Sequence, residues 1–473
     1  MNSTRVLDIF KEITTIPRES GHEGPVTDWL CRQAEALSLE YKRDKTGNVL
    51  ITRPAAPGKE NVPTIVLQAH QDMVCEKKAG VEHDFRKDPI RYVIEDGWMI
   101  AKDTTLGADD GIGIAACIAL LEDPAPTGCI ECLFTISEET GMDGAEALES
   151  GFFHGKTLIN LDSEDEGQLF IGCAGGLNTN IKFGFTRRQS GMPRVRCVIS
   201  GGIGGHSGDD INKGRANTVL LMARFLYGRL ADGILLVSMD GGGKPNAIAR
   251  ECEAVVAVPD VKAFKAAFRA FGKDLAEEFH NTDPGLVCTA ETLPVSLAPM
   301  TASATGRIIS SLFACPHGVQ AMSQDIEGLV QTSSNLASVR THRKERVFEV
   351  VTSQRSSATS ERRAMAAKVR ANFEQAGATV CHKYEYPGWN PDVNSHILAR
   401  TADAYRRLFS QEPEIKAIHA GLECGLFLQK FPGLDMISFG PTMRGVHAPG
   451  EKLELASMDK FVELLDDVVR NFE

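Results

Sequence analysis

The sequence predicts an α/β fold, in which a first domain with a mostly parallel sheet and flanking helices is interrupted by an inserted α+β domain. Three observations carry this prediction. Through the first third, strand-like apolar runs alternate with helical stretches of about 10 to 15 residues, the pattern of a parallel sheet with helical crossovers. Near Phe183 the texture changes, and after Tyr386 a helix, strand and Gly/Pro-rich loop return to the earlier style.

In chain order, "VTDWLCRQAEALSL" is an amphipathic helix, "NVLITR" and "TIVLQAH" are strands, and "GIGIAACIALLED" is a helix. "IECLFTI" and "TLINLD" are further strands of the same sheet. In such sheets the chemistry collects beyond the carboxyl ends of the strands. In the middle of the chain, "PRVRCVIS" and "ILLVSMD" read as strands, with the helix "GRANTVLLMARFLYGRLA" between them. "RVFEVVTSQRSS" and the helix "ATSERRAMAAKVRANFEQAGA" repeat a similar order, which suggests two related halves. The expected boundaries are 1–182 and 387–473 for the first domain and 183–386 for the insert.

With 473 residues, 42% hydrophobic and 24% charged, the chain can bury a large core. No run of about 18 apolar residues occurs, and the start lacks a basic and then apolar leader, so a cytoplasmic location is expected. A formal charge of -12 disfavours nucleic acid and anionic membrane as partners and favours a small molecule. Twelve scattered cysteines read as reduced, packed thiols. Cys129 and Cys132 lack the second ligand pair that a structural zinc site needs.

Acidic and imidazole residues recur just after strand-like runs. They are His70 and Asp72 in "VLQAHQD", Asp109 in "TTLGADDGIG", Glu138 and Glu139 in "LFTISEETG", Asp162 in "TLINLDSED" and His447 in "MRGVHAPGE". Taken singly, each is ordinarily a cap or a solvated loop residue. Brought to one rim, the carboxylates would repel one another unless a cation sat among them. Imidazole and carboxylate without cysteine suit a catalytic zinc, manganese or cobalt ion with an open coordination position. Because Glu138 and Glu139 are adjacent, their side chains diverge, so one can bind metal while the other handles protons.

The ordered set H-x-D, G-x-D-D-G-x-G, S-E-E-x-G, N-L-D and G-x-H-x-P resembles the co-catalytic dizinc peptidase and aminoacylase family that includes carnosinase and peptidase V. "HQDMVCEK", "GADDGIG", "GGHSGDDI" and "HAGLECG" resemble more particularly its aminoacyl-histidine dipeptidase branch, and the likeness runs over essentially the whole chain. The resemblance implies a zinc exopeptidase-like first domain and a lid domain as the insert. It implies two divalent ions per subunit, zinc or else cobalt or manganese. His70 and Asp162 would hold one ion, Glu139 and His447 the other, and Asp109 both. Glu138 becomes the general base, and Asp72 the support of the His70 ring. From the insert, His206 in "GGHSGDD" would stabilise the oxyanion. Arg355 in "VVTSQRSS" is the candidate for the substrate carboxylate, and Asn217 in "RAN" either positions substrate or caps a helix.

The expected reaction is hydrolysis of unsubstituted dipeptides, and the resemblance implies Xaa-His substrates including β-alanyl-histidine. The runner-up is an amidohydrolase of the same fold acting on N-acyl amino acids or other short peptides. A nicotinamide-dependent oxidoreductase is a remote rival, because "GIGIAA" satisfies G-x-G-x-x-A. Asp109 and Asp110 before those glycines would repel a pyrophosphate. A non-catalytic metal carrier would leave Glu138 without a task. A homodimer is expected, or a monomer if two lid halves substitute for a partner.

Overall fold

In the computed structural model, residues 1–295 and 297–473 are described. The chain forms two compact units, one from Met1–Gly172, Trp389–Ala417 and Leu422–Glu473, the other from Cys173–Gly388 and Ile418–Gly421.

The first unit is built on an eight-stranded sheet. Its spatial order is Glu40–Arg43, Val49–Arg53, Ile130–Thr135, Ile65–His70, Thr157–Asn160, Asp435–Ser438, Gln168–Cys173 and Glu414–Ile418. The four strands from Ile130–Thr135 to Asp435–Ser438 pair in parallel. The sheet as a whole is mixed, because Glu40–Arg43 and Val49–Arg53 form an antiparallel hairpin. Its turn is fixed by the Asp44 carboxylate, which accepts from the amides of Thr46, Gly47 and Asn48. Every residue of Ile65–His70 and of Ile130–Thr135 is buried, as expected of parallel strands covered on both faces. The helix Ala108–Glu122 is buried from Ala108 to Leu121 and packs between the helix Ser3–Ile13 and the strand Ile65–His70. A separate four-stranded sheet joins Met443–Arg444, Lys452–Glu454, Trp98–Ala101 and Tyr92–Glu95, and frames the loop that carries His447. Among the described residues no helix is long and apolar enough to cross a membrane.

The second unit has a nine-stranded sheet. One strand–helix–strand–strand–helix–strand set runs Arg194–Ser200, Thr218–Tyr227, Leu235–Gly242, Cys252–Ala257, Val261–Glu278 and Val287–Leu293. A second set repeats that order with one added strand, Gly318–Met322, paired to its second: Gly175–Gly184, Ala302–Phe313, Val330–His342, Val347–Ser356, Thr359–Gln375 and Thr379–Tyr386. In both, the spatial strand order is fourth, first, third, second. The first set is nested in the second, between its opening strand and its first helix. Chain entry and exit of the nested set are bonded to each other, through Thr301 N to Thr186 O at 3.1 Å and Arg188 N to Pro299 O at 2.9 Å. The two sets meet edge to edge over only Gly241 and Gly242, opposite Val339 and Ser338. Side chains extend that short seam: Met239 N donates to Thr341 Oγ1, Thr341 N to Asp240 Oδ1, and Arg340 to the Gly241 carbonyl. One core, running from Ile181 to Val380 and rich in Phe, lies beneath the sheet.

Candidate active site

His70 ends a fully buried strand and is itself 1% exposed. Its Nε2 lies 2.9 Å from Asp109 Oδ1 and 3.6 Å from Asp162 Oδ1. The other oxygen of Asp109, Oδ2, lies 3.1 Å from His447 Nε2, which is also 2.9 Å from Glu139 Oε1. Asp109 therefore presents one oxygen to each histidine and stands between two sets, His70 with Asp162 and His447 with Glu139. Donors sharing one zinc-like ion at bonds of about 2.0–2.2 Å stand roughly 3 to 3.5 Å apart. The spacing suits two ions with Asp109 shared between them.

The electrostatics make the same demand. Burial opposes a charge on His70, yet Asp162 and Asp109 push its imidazole well above the usual range. Hydrogen bonds to Asp109 and Glu139 push His447 up to about 11. Burial resists ionisation of Asp109, and His447 and His70 overcome it, holding the carboxyl well below the usual range. Protonated imidazoles are the positive charge available when only protein atoms fill the site. A set of donors that recruits protons so strongly fits divalent cations.

Asp72 holds several groups at once. Its Oδ1 is 3.3 Å from His70 Nδ1 and accepts from Glu138 N at 3.0 Å, while Oδ2 accepts from Ser20 Oγ at 2.7 Å and Glu139 N at 3.2 Å. Burial works against its charge, and the bonds from His70, Ser20 and Glu138 outweigh it, leaving the carboxyl below the usual range. Glu138 begins the turn after Ile130–Thr135, next to Ser137 at a φ of 52°. Glu23 Oε1 accepts from both Ser137 N and Ser137 Oγ, which secures that conformation. Neither histidine of the rim is hydrogen-bonded to the Glu138 side chain. Burial first, then the Asp162 charge, push this carboxyl well above its ordinary range, a condition suited to accepting and returning a proton.

Asp110 also lies near His70 and Asp162. Its oxygens are already engaged, Oδ1 with Gly113 N at 3.1 Å and Oδ2 with His70 N at 3.2 Å, so it braces the helix start. Gly111 and Gly113 lie inside the helix Ala108–Glu122, where a Cβ would strike Arg18 and Phe10 or the Asp110 carboxylate. They serve close packing, which removes the basis for a dinucleotide site.

In the second unit, His206 follows the strand Arg194–Ser200 in a glycine-rich loop. Its Nδ1 is 3.1 Å from Asp209 Oδ2 and its Nε2 is 3.4 Å from Arg355 Nη2. Arg355 is 6% exposed, donates to Tyr386 Oη at 3.1 Å, and has a buried Nε with no partner. Ser333, directly opposite Arg355 on the neighbouring strand, is 2.7 Å from His419 Nε2. Burial, with Arg355 nearby, pushes His419 down to about 3. Asn217 departs from the substrate-positioning role the sequence allowed. Its Oδ1 accepts from Leu220 N and its Nδ2 donates to Leu336 O, so both ends of the amide are spent on capping Thr218–Tyr227 and bracing Val330–His342.

Sequence reasoning passed over Arg18, Glu23, His419, Glu423 and Glu451. All are buried polar residues near the groups described. Glu423 accepts from Gln68 and Thr135, and only its place in "HAGLECG" hinted at a role.

The family model for peptidase family M20/M25/M40 matches residues 66–471. The cytosol non-specific dipeptidase of Escherichia coli (strain K12) is 36% identical over 469 residues, covering 98% of this chain and 96% of the relative. The crystal structure of aminoacylhistidine dipeptidase from Vibrio alginolyticus superposes with a TM-score of 0.91 at 38% identity, over 99% of this chain and 96% of that one. Aminopeptidase PepT from Bacillus cereus shares the fold at a TM-score of 0.59 and 18% identity, over 99% of this chain and 98% of that one. With the rim of histidines and carboxylates at its strand ends, the chain belongs to peptidase family M20/M25/M40 and is a hydrolase of the metallopeptidase class.

Proposed function

We propose that the protein is a metal-dependent dipeptidase that hydrolyses unsubstituted dipeptides, with Xaa-His and β-alanyl-histidine among its substrates. The observation that carries this reading is Asp109, whose two oxygens face His70 and His447, beside a Glu138 carboxyl left free of both histidines. Two of the relatives named above, each matched over 96% of its length, carry dipeptidase names, one called non-specific and one named for aminoacyl-histidine.

His70 and Asp162 would hold one divalent ion, Glu139 and His447 the other, and Asp109 both, with zinc, cobalt or manganese as the candidates. Bound there, such ions supply Lewis acidity and ease the ionisation of water near neutral pH. Glu138 takes the proton of the attacking water on its carboxylate and hands it to the leaving amine. Asp72 fixes the His70 ring through Nδ1 and, through two main-chain amides, the direction of Glu138 and Glu139. His206 donates to the carbonyl oxygen as negative charge grows on it. Arg355 takes the free carboxylate of the dipeptide, a role supported by a buried guanidinium with an unpartnered Nε.

The test is Glu138→Gln, assayed with zinc, cobalt and manganese in turn. Hydrolysis of β-alanyl-histidine should fall by about 10²- to 10⁴-fold, while bound metal stays at the wild-type level. Normal turnover by that variant removes Glu138 as the base. Cleavage of an N-acetyl amino acid in preference to the dipeptides would make the chain an amidohydrolase instead.

A further inference from the structure

Two buried side chains of opposite charge grip the loops that carry the rim, and they do so entirely through main-chain atoms. Arg18 is 2% exposed. Its Nη1 donates to the Gln71 carbonyl at 3.2 Å and to the Asp72 carbonyl at 2.7 Å, and its Nη2 donates to the Gly107 carbonyl. Its own carbonyl accepts from Met73 N at 3.1 Å. Glu451 is likewise 2% exposed. Its Oε2 accepts from Leu106 N at 2.8 Å and Gly107 N at 3.1 Å, and its Oε1 accepts from Ala108 N at 2.8 Å.

The two grips converge on one residue. Gly107 has its carbonyl on Arg18 and its amide on Glu451, two positions before Asp109. It sits at a φ of +70°, and a Cβ there would run into the Arg18 guanidinium and Met73 Sδ. Arg18 thereby ties the loop after His70 to the loop before Asp109. Glu451, four residues after His447, ties that same loop to the segment bearing His447. Three strand-end loops that are distant in sequence are locked in one arrangement with no rim side chain taking part.

We propose that Arg18 and Glu451 form a positioning pair that holds Asp109 between His70 and His447 in the metal-free protein, and so sets the affinity for metal ions and not for substrate. The proposal rests on reading those three residues as metal ligands. Burial opposes the charge on both Arg18 and Glu451, and the Arg18 guanidinium nonetheless lies within electrostatic reach of Glu451, Asp72 and Asp109. A rim of carboxylates must be kept together against its own repulsion before any ion arrives, and a fixed buried cation beneath it serves that end. Six hydrogen bonds to main chain, several of them charge-assisted, give the arrangement its stiffness.

The test compares Arg18→Met, Arg18→Lys and Glu451→Gln with the wild type, first as metal-free proteins. Zinc affinity, read by competition with a chromophoric chelator, should weaken by about 10- to 100-fold in each variant. Hydrogen exchange at the amides of residues 106–108 should be slow in the metal-free wild type and at least ~10-fold faster in Glu451→Gln. At saturating zinc, kcat for a dipeptide should return toward the wild-type value with KM unchanged throughout. Wild-type zinc affinity in Arg18→Met and Glu451→Gln would overturn the proposal. So would equally fast exchange at 106–108 in the metal-free wild type, or full affinity in Arg18→Lys, which keeps the charge and loses the fork. Should Arg18→Met fail to fold, Glu451→Gln carries the comparison. A wild type that binds zinc as expected but cleaves no dipeptide sinks the functional reading and leaves the pair standing.

Discussion

His70 ends a strand and His206 follows one, yet the charge around them differs, negative on every side of the first and mixed around the second. His70 is sealed at 1% exposure among Asp72, Asp109 and Asp162. The ring of His206 is about a third exposed, with one carboxylate on Nδ1 and the Arg355 guanidinium opposite Nε2. The first environment gathers negative charge and calls for cations. The second sets a buried guanidinium beside the ring with a partnerless Nε, and suits an anion. The residue type alone therefore says little about a histidine's task, and the sign of the charge around it says much more.

The sharpest way to break this comparison is to remove each ring in turn. His70→Ala should lose zinc from the rim and nearly all hydrolysis, measured by metal analysis and dipeptide assay. His206→Ala should keep full metal content and lose about 10²- to 10³-fold in kcat. If His206→Ala also sheds metal, the contrast between the two histidines is wrong. Asp72→Ala comes next, with metal affinity or rate weakened by about 10- to 100-fold. A smaller effect belongs to His419, held to about 3 by burial and by Arg355. A folded value below the unfolded one means that the unfolded chain takes up the proton first, so stability falls as pH drops below about 6.5 and continues to fall toward 3. Between pH 6.5 and 5 that costs about 2 kcal/mol. Urea midpoints of wild type and His419→Asn at the two pH values should show the difference shrink in the variant. Smallest of all, Asn217→Ala should cost about 1 kcal/mol of stability as a lost helix cap, with KM for the dipeptide unchanged. A raised KM would return Asn217 to the substrate.

Much of the rim was legible because parallel strands covered on both faces are unbroken apolar runs, so a charged residue at the end of one stands out. "TIVLQAH" and "TLINLD" each finish in a residue of the rim for that reason. The parallel centre of the sheet was legible from the same runs, whereas the antiparallel hairpin at its edge rested on a turn too local to outweigh the alternation around it. Asn217 was ambiguous because an amide that caps a helix and one that binds a ligand look alike until its partners are known. Arg18 and Glu451 gave no usable signal at all. Their partners are main-chain atoms 53 to 89 residues away for Arg18 and 343 to 345 away for Glu451, and such bonds leave no pattern of residue types in the chain.

The nested set of the second unit enters and leaves at paired residues, Thr186 with Thr301 and Arg188 with Pro299. A segment whose two ends are already joined by hydrogen bonds is a cassette in the genetic sense. Its loop can be closed at the base by a short linker, and the surrounding strand order needs no rethreading, since the cost of closure depends only weakly on what the loop contains. The strand order of the outer set is thus independent of the nested chain's length, while the core the two sets share ties their packing together.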